Sequence, residues 1–377
     1  MTIDIVFSSN PSGFHMFSVK RGSKGLCFDI DKETIMHLRP KIKDLLKVLP
    51  SFVALAFATA FSAVPANAGD KINCIFPFWF GFAPVFVAQK EGYFASEDLE
   101  VTTAFDNDRA NVLPAMATGA IECTMRTIGE SMSRPRQADT TGTIIGTIDI
   151  SIGADGVVAS GDIQSVEDLI GKTMAGEINH PGTTLVQHAL AQMGKSIDDI
   201  NIQLIATDDS AAVFEDPSVS AVATWEPMLG SIVKNSSREG THVLLSSADY
   251  EGLITDVIIV RTDDYQDNPE KYGKFLRGIY RAIDLYNADP DKFIGISAPF
   301  FDTPADEMKE ALAGVKYTSY EESVSYLPSA SGDGQLKEVF DAFNDINVVL
   351  DLQDGPLEYQ PYVDGAALDG LFDGHTR

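Results

Sequence analysis

The chain has 377 residues and carries 28 Lys plus Arg against 55 Asp plus Glu, a formal net charge of −27, with 44% hydrophobic residues. That balance is globular rather than disordered, and the length suits two domains, each with its own core. So acidic a surface repels phosphate backbones and anionic headgroups, which argues against nucleic-acid or membrane-surface binding and leaves small molecules and proteins as partners.

His37, Arg39, Lys41, Lys43 and Lys47 precede an apolar stretch at 52–64, and Ala66, Asn67 and Ala68 form a small-x-small triplet before Gly69. This is the charged, apolar and cleavage-site order of a secretory signal peptide, and the apolar run is shorter than the ~20 residues that span a bilayer. Residues 36–68 are therefore expected to be a signal peptide cleaved after Ala68, giving a periplasmic protein with no stable membrane insertion. Residues 1–35 show neither a targeting motif nor helical or strand periodicity, and read as a non-native extension ahead of a true start at Met36. Cys74 follows Lys71, Ile72 and Asn73, which is no lipobox. Cys74 and Cys123 each sit in a short apolar run and are expected as buried free thiols, although an oxidising compartment permits a disulfide.

From Lys71 strands and helices alternate. The expected order is strand 71–76, helix 83–91, strand 99–105, helix 109–118, strand 121–126 and strand 142–150. A helix at 165–170, strand 173–175, helix 183–193 and strands 201–206 and 221–224 follow. Such alternation implies parallel sheets covered by helices. Beyond Asp256 a strand at 257–261 leads into amphipathic helices at 269–287, 291–296, 304–312 and 334–343, whose apolar stripes are core. The Gly/Asp-punctuated tail at 364–373 carries a short apolar patch suited to packing back on the body.

The motifs, in this order, resemble a known family. They are F-P-F-W-F-G-F-A-P-V-F-V-A-Q-K-E-G-Y-F at 76–94, L-E-V at 99–101, L-P-A-M-A-T-G-A-I-E at 113–122, D-I-S-I-G-A-D-G at 149–156, V-E-D-L-I-G-K-T at 166–173, H-P-G-T-T at 180–184 and S-A-V-A-T-W-E-P at 220–227. Together they are similar to the periplasmic substrate-binding proteins of taurine, aliphatic-sulfonate and nitrate-type ABC importers, a superfamily that also holds binders of thiamine-pyrimidine precursors. The resemblance implies an α/β, two-lobed periplasmic binding protein fold of type II, with two parallel-rich sheets flanked by helices and joined by two crossover strands. Residues 71–158 plus 252–377 would form the first lobe and 159–251 the second, closing on a small solute that an ABC permease then receives. A monomer without cofactor is expected.

Ligands of open α/β sheets lie beyond the carboxyl ends of strands, and the candidate residues fall there. Phe78, Trp79 and Phe80 cannot all face one core from an extended segment, so at least one faces the cleft, where an aromatic ring covers a flat solute or holds an amine. Gly182, Thr183 and Thr184 open an apolar helix, where free N–H groups and a hydroxyl suit an electronegative group or simply cap the helix. His180 beside them is more readily a solvated loop residue. Glu130, Asp155, Glu226 and Asp256 stand at strand ends, and any two of them in the cleft would call for a cationic or N–H-rich end on the solute. For Asp155 the turn-forming role is the stronger reading, whereas the resemblance places Trp225 and Glu226 at the cleft. Arg126, ending a strand, is the natural clamp for an acidic end; Arg134 and Arg136 flank Pro135 in a loop and suit solvent.

These features combine to a small polar nitrogen- or sulfur-containing solute, with taurine the leading expectation and an amide, amine or pyrimidine precursor the alternative. Enzymes of the thiamine-pyrimidine synthase type share the fold, as the resemblance implies, but carry a cysteine-rich iron motif absent here. No G-x-S-x-G, H-E-x-x-H or zinc-type Cys/His spacing occurs either.

Overall fold

The computed structural model describes residues 5–9, 15–19, 26–28, 69–107, 111–132, 142–178, 180–349 and 353–377. Compact packing divides the chain at 67/68. In the first unit β1 (Ile5–Ser9), β2 (His15–Val19) and β3 (Leu26–Phe28) form an antiparallel sheet in that order. This corrects the expectation of no strand pattern before residue 36. The runs are too short for a period to show, yet aromatic and apolar residues between the turn formers Pro11, Gly13, Gly22 and Gly25 suffice for a meander. The signal-like segment 36–68 lies outside the described residues.

The second unit holds two mixed sheets. The first comprises β4 (Asp70–Phe76), β5 (Leu99–Phe105), β6 (Cys123–Thr127), β7 (Gly142–Ser151), β13 (Thr255–Arg261) and β14 (Val315–Tyr317), ordered β14-β7-β13-β6-β4-β5. The other comprises β8 (Asp155–Ala159), β9 (Thr173–Gly176), β10 (Asn201–Leu204), β11 (Ala221–Trp225) and β12 (His242–Ser246), ordered β10-β9-β11-β8-β12. Parallel pairing joins β5-β4-β6 and β10-β9-β11, while the strands next to each change of sheet enter antiparallel. The first change of sheet falls at 152–154 rather than near 158. The Gly-Ala-Asp-Gly run reads as a turn, but β8 starts at Asp155 and pairs along its length with β11.

Local chemistry sets the flanking helices. Helix Ala83–Lys90 has proline in its first turn, is buried through most of its length, and packs on the long helix Pro269–Ala288. Phe78 and Phe80 join Phe301 in an edge-to-face cluster, with ring centroids 5.3 and 5.1 Å apart from it. The tail packs back as expected: Leu368 and Leu371 are buried, and Tyr320 Oη donates to the Leu368 carbonyl at 2.9 Å. Cys74 and Cys123 face each other across β4 and β6 as buried free thiols, and burial with that neighbour pushes the Cys74 thiol up.

The two sheets are tied where the chain changes between them. Ser247 Oγ lies 2.7 Å from Ser151 Oγ and accepts the Gly153 N–H at 2.7 Å. The Glu226 N–H donates to the Ala154 carbonyl at 2.8 Å.

Candidate functional site

Between the sheets lies a small, partly enclosed cavity. Pro77, Phe78, Trp79, Phe82, Thr127, Glu130 and Asp256 line it from the first lobe; Asp155, Pro181 and Trp225 line it from the second. Six of the residues expected from sequence therefore meet: Phe78, Trp79, Glu130, Asp155, Trp225 and Asp256.

Register explains the meeting. Antiparallel pairing sets Asp155 opposite Trp225, and β13 sets Asp256 opposite Thr127 on one side and Asp149 on the other. Glu130 is held at the end of β6, where its Oε2 accepts the Thr127 N–H at 3.3 Å while Thr127 Oγ1 accepts the Glu130 N–H at 3.1 Å. Trp79 leaves β4 in extended geometry just before the turn Phe80–Phe82. Its indole N–H donates to both oxygens of Asp149, at 3.2 and 3.3 Å.

Four carboxyl groups thus converge in a buried space. Burial pushes the Asp149 carboxyl up to about 8; the charge of Asp155 adds to this, and hydrogen bonds from Trp79 and with Asp256 oppose it. Asp256 is raised well above the carboxylate range by burial, then by Asp149, Asp155 and Glu130. Like charges this close do not all ionise. Among the described lining residues there is no Lys or Arg.

Trp225 supplies the opposing aromatic wall. Its ring stacks on His180 with centroids 4.3 Å apart and planes 13° from parallel. His180 is buried, not solvated as the sequence suggested, because its Nδ1 caps helix Pro181–Gln192 by accepting the Gly182 N–H at 3.2 Å.

The other candidates lie elsewhere. Phe80 belongs to the aromatic core. Gly182 is a packing position, since a Cβ there would stand 2.6 Å from the Gly156 carbonyl. Thr183 Oγ1 donates to the Glu177 carbonyl at 2.8 Å, and Thr184 is buried in the same helix. Arg126 is buried on β6 without lining the cavity, and 133–141, with Arg134 and Arg136, lies outside the described residues. Glu226 turns away: its carboxylate accepts the Gly230 N–H at 3.1 Å and borders a separate groove with Glu307 and Glu310. Burial, and to a lesser degree Glu310, raises its pKa.

At the rim one side chain joins the lobes. Asn107 Oδ1 accepts the Phe78 N–H at 2.9 Å, and its Nδ2 donates to Asp208 of the second lobe at 3.3 and 3.5 Å.

Residues 79–293 match the family model described as NMT1/THI5 like. The chain belongs to this family. A Brucella abortus relative, described only provisionally as a binding protein, is 23% identical over 300 residues, covering 78% of this chain and 91% of its own. The riboflavin-binding protein RibY of Chloroflexus aurantiacus is 30% identical over 230 residues, 58% of this chain and 62% of the relative. Among solved structures, the alkanesulfonate-binding protein SsuA of Xanthomonas axonopodis superposes with a TM-score of 0.61 at 14% identity, over 79% of this chain and 99% of that one. The periplasmic nitrate-binding protein NrtA of Synechocystis gives 0.64 at 11% identity, over 81% and 89%. This NMT1/THI5-like chain therefore has the two-lobed periplasmic binding protein fold, α/β with helices flanking two sheets.

The sequence did not single out Asp149, although a lone carboxylate inside the fully buried run T-I-D-I-S of β7 was its signal. Gly81 is the companion requirement of this NMT1/THI5-like cleft. A Cβ there would fall 2.1 Å from both Asp149 Oδ2 and Trp79 Nε1. Gly81→Ala is expected to break the indole–carboxylate bond, to cost about 1–3 kcal/mol as overpacking does, and to shift the tryptophan emission maximum. Denaturant titration with emission spectra checks this; an unaltered spectrum and stability would mean that the loop yields.

Proposed function

We propose that this protein is the exported solute-binding component of an ABC importer, and that it captures a small solute bearing a cationic or N–H-rich end. The observation that carries the reading is the acidic floor of Asp256, Asp155 and Glu130 between Trp79 and Trp225. Carboxylates accept hydrogen bonds from amines, amidines and aminated rings, and aromatic walls cover a flat body. The fold supports the role, because two lobes closing on a solute present a surface that a permease subunit reads. Export rests on the signal-like pattern at 36–68, and no described helix is long and apolar enough to cross a membrane.

Taurine meets half of this description. Its ammonium suits the acids, but its sulfonate needs donors, and at helix Pro181–Gln192 the His180 ring already takes the Gly182 N–H. The position of Pro181 on the cavity wall is what favours taurine as the second reading. The flat aminated ring, amide or amine fits better, and a plain alkanesulfonate fits worst.

A thermal-shift screen of the purified protein against taurine, methanesulfonate, urea, putrescine, 4-aminopyridine and 4-aminopyrimidine separates these readings. A solute at one hundred times its Kd adds about 2.7 kcal/mol, which raises Tm by several degrees for a chain of this size. Stabilisation by amines or aminated rings and none by methanesulfonate is the expected pattern; the reverse pattern refutes the proposed polarity.

A further inference from the structure

We propose that Cys74 and Cys123 close an intrachain disulfide when the chain folds in an oxidising compartment. The inference rests on the proposed export only for where the oxidant is met. β4 and β6 run parallel, side by side within the first sheet, and Cys74 stands directly opposite Cys123 in their register. Neighbouring strands lie about 4.8 Å apart, inside the roughly 4.4–6.8 Å that separates the Cα atoms of bridged cysteines. Residues paired in register project from the same face of a sheet, so both sulfurs lie on one side of it, and both residues are buried. The adjacent pair holds that register. The Asn73 N–H and Nδ2 donate to Glu122 Oε2 at 2.8 and 2.9 Å, and the Glu122 N–H donates to the Asn73 carbonyl at 3.0 Å. A slip of one residue, which would turn one cysteine to the opposite face, breaks all three bonds.

Little is lost in making the bridge. Cys123 Sγ lies 3.8 Å from the Thr124 carbonyl, and a thiol is a weak donor. The bridge closes the segment 74–123, a loop long enough for the constraint on the unfolded chain to stabilise the fold. It also joins the strands that carry the first lobe's share of the cavity, since β4 leads into Pro77, Phe78 and Trp79 and β6 into Thr127 and Glu130. Burial sets the timing. Burial and the facing thiol hold Cys74 in its neutral form, a poor nucleophile, so exchange takes place while the chain folds rather than after the sheet has closed over the pair. The oxidant is a disulfide, small or protein-borne. One cysteine thiolate attacks it, forming a mixed disulfide and releasing one thiol; the second cysteine thiolate attacks the mixed disulfide at the cysteine sulfur and releases the other. Two cysteine thiols and one disulfide thus become one bridge and two thiols, with two electrons passing to the oxidant and two protons to its departing sulfurs.

Cys27 is the third cysteine of the chain, so the full chain carrying Cys27→Ser isolates the pair. Refolded from urea in a mixture of reduced and oxidised glutathione, then unfolded and treated with a maleimide, it is expected to take up no label. It is expected to be two hydrogens lighter than the same chain refolded with a phosphine reductant, and to yield a proteolytic product that links the peptides of Cys74 and Cys123. The oxidised preparation is expected to melt several degrees above the reduced one, and the gap to vanish in Cys74→Ala and in Cys123→Ala. Labelling and mass are read without those two variants, so a failure of either to fold leaves the test standing. Two labelled thiols, or glutathione attached to either cysteine in place of linked peptides, overturns the disulfide. A bridge that forms in the redox mixture, while protein from cells is found in the cytoplasmic fraction with both thiols free, supports the pair and counts against export.

Discussion

Trp79→Ala is expected to cost roughly 3–5 kcal/mol of stability, the range for truncating a buried aromatic residue, and to weaken solute binding by at least about 2 kcal/mol, near thirtyfold. Both losses come from one side chain. The ring is buried to 6% exposure and forms a wall of the cavity, so its removal leaves a void on the protein side and an uncovered face on the solute side. Its N–H is the donor that both Asp149 oxygens share, so truncation also strips a buried carboxyl of its partner. Trp79→Phe separates the two terms. It keeps most of the wall but loses the donor, and is expected to cost about 1–3 kcal/mol of stability, as for an unsatisfied buried polar group, with a smaller effect on affinity. Urea titration and calorimetry on both variants check this, and a Trp79→Phe protein as stable as the parent would mean that the indole bond to Asp149 contributes nothing.

The second large effect is on the pH dependence of folding. Asp149 binds its proton up to about pH 8 in the fold, whereas its ordinary value is 3.8. Between those values the folded state holds a proton that the unfolded chain has lost, so stability falls as pH rises through the window, by about 1.4 kcal/mol per unit. From pH 5 to pH 7 this amounts to roughly 3 kcal/mol. His188 acts in the opposite sense, since burial lowers its pKa and makes its neutral form the one that folds. Glu321, held down to about 2 chiefly by Arg377, acts only on the acid side of its ordinary 4.5. The clean quantity is therefore the difference between the parent and Asp149→Asn, whose carboxamide donates to Asp256 without needing a proton. Denaturant titrations at pH 5, 6, 7 and 8 should show the variant gaining on the parent steadily with pH; parallel curves would show that Asp149 titrates normally.

Much of the scaffold was legible because its signals are local. Strands at 71–76 and 99–105 and the helix after Pro84 follow from alternation, β-branched content and a proline start. β8 was not, because Gly-Ala-Asp-Gly has turn chemistry and only its distant partners β11 and β12 make it a strand. Strands β12 and β14 are too short to show a period. The expected residues that the cavity brings together are those at or just beyond strand ends, where the sheet rule points to ligand. The expected residues that do not line the cavity are set apart by local geometry. Trp225 ends β11 and Glu226 begins the turn after it, so the indole faces the cavity while the carboxylate turns to the Gly230 N–H. On helix Pro181–Gln192, Pro181 and Thr183 are two positions and about 200° apart, so both cannot look into the same space. Asp149 escaped because β7 is buried on both faces and offers no alternation against which a polar residue stands out.

If the lobes close on a solute as proposed, Asn107 gives that motion a thermodynamic character. Its Oδ1 bond to the Phe78 N–H lies wholly within the first lobe, so it persists when the lobes part. The amide's nitrogen is then already aimed at the position Asp208 takes up on closure. Forming that link freezes no new rotamer in Asn107 and avoids the roughly 0.5–1.5 kcal/mol of entropy that immobilising a free side chain costs. The latch is set before its catch arrives, and so an exposed hydrogen bond of modest length can still favour the closed state.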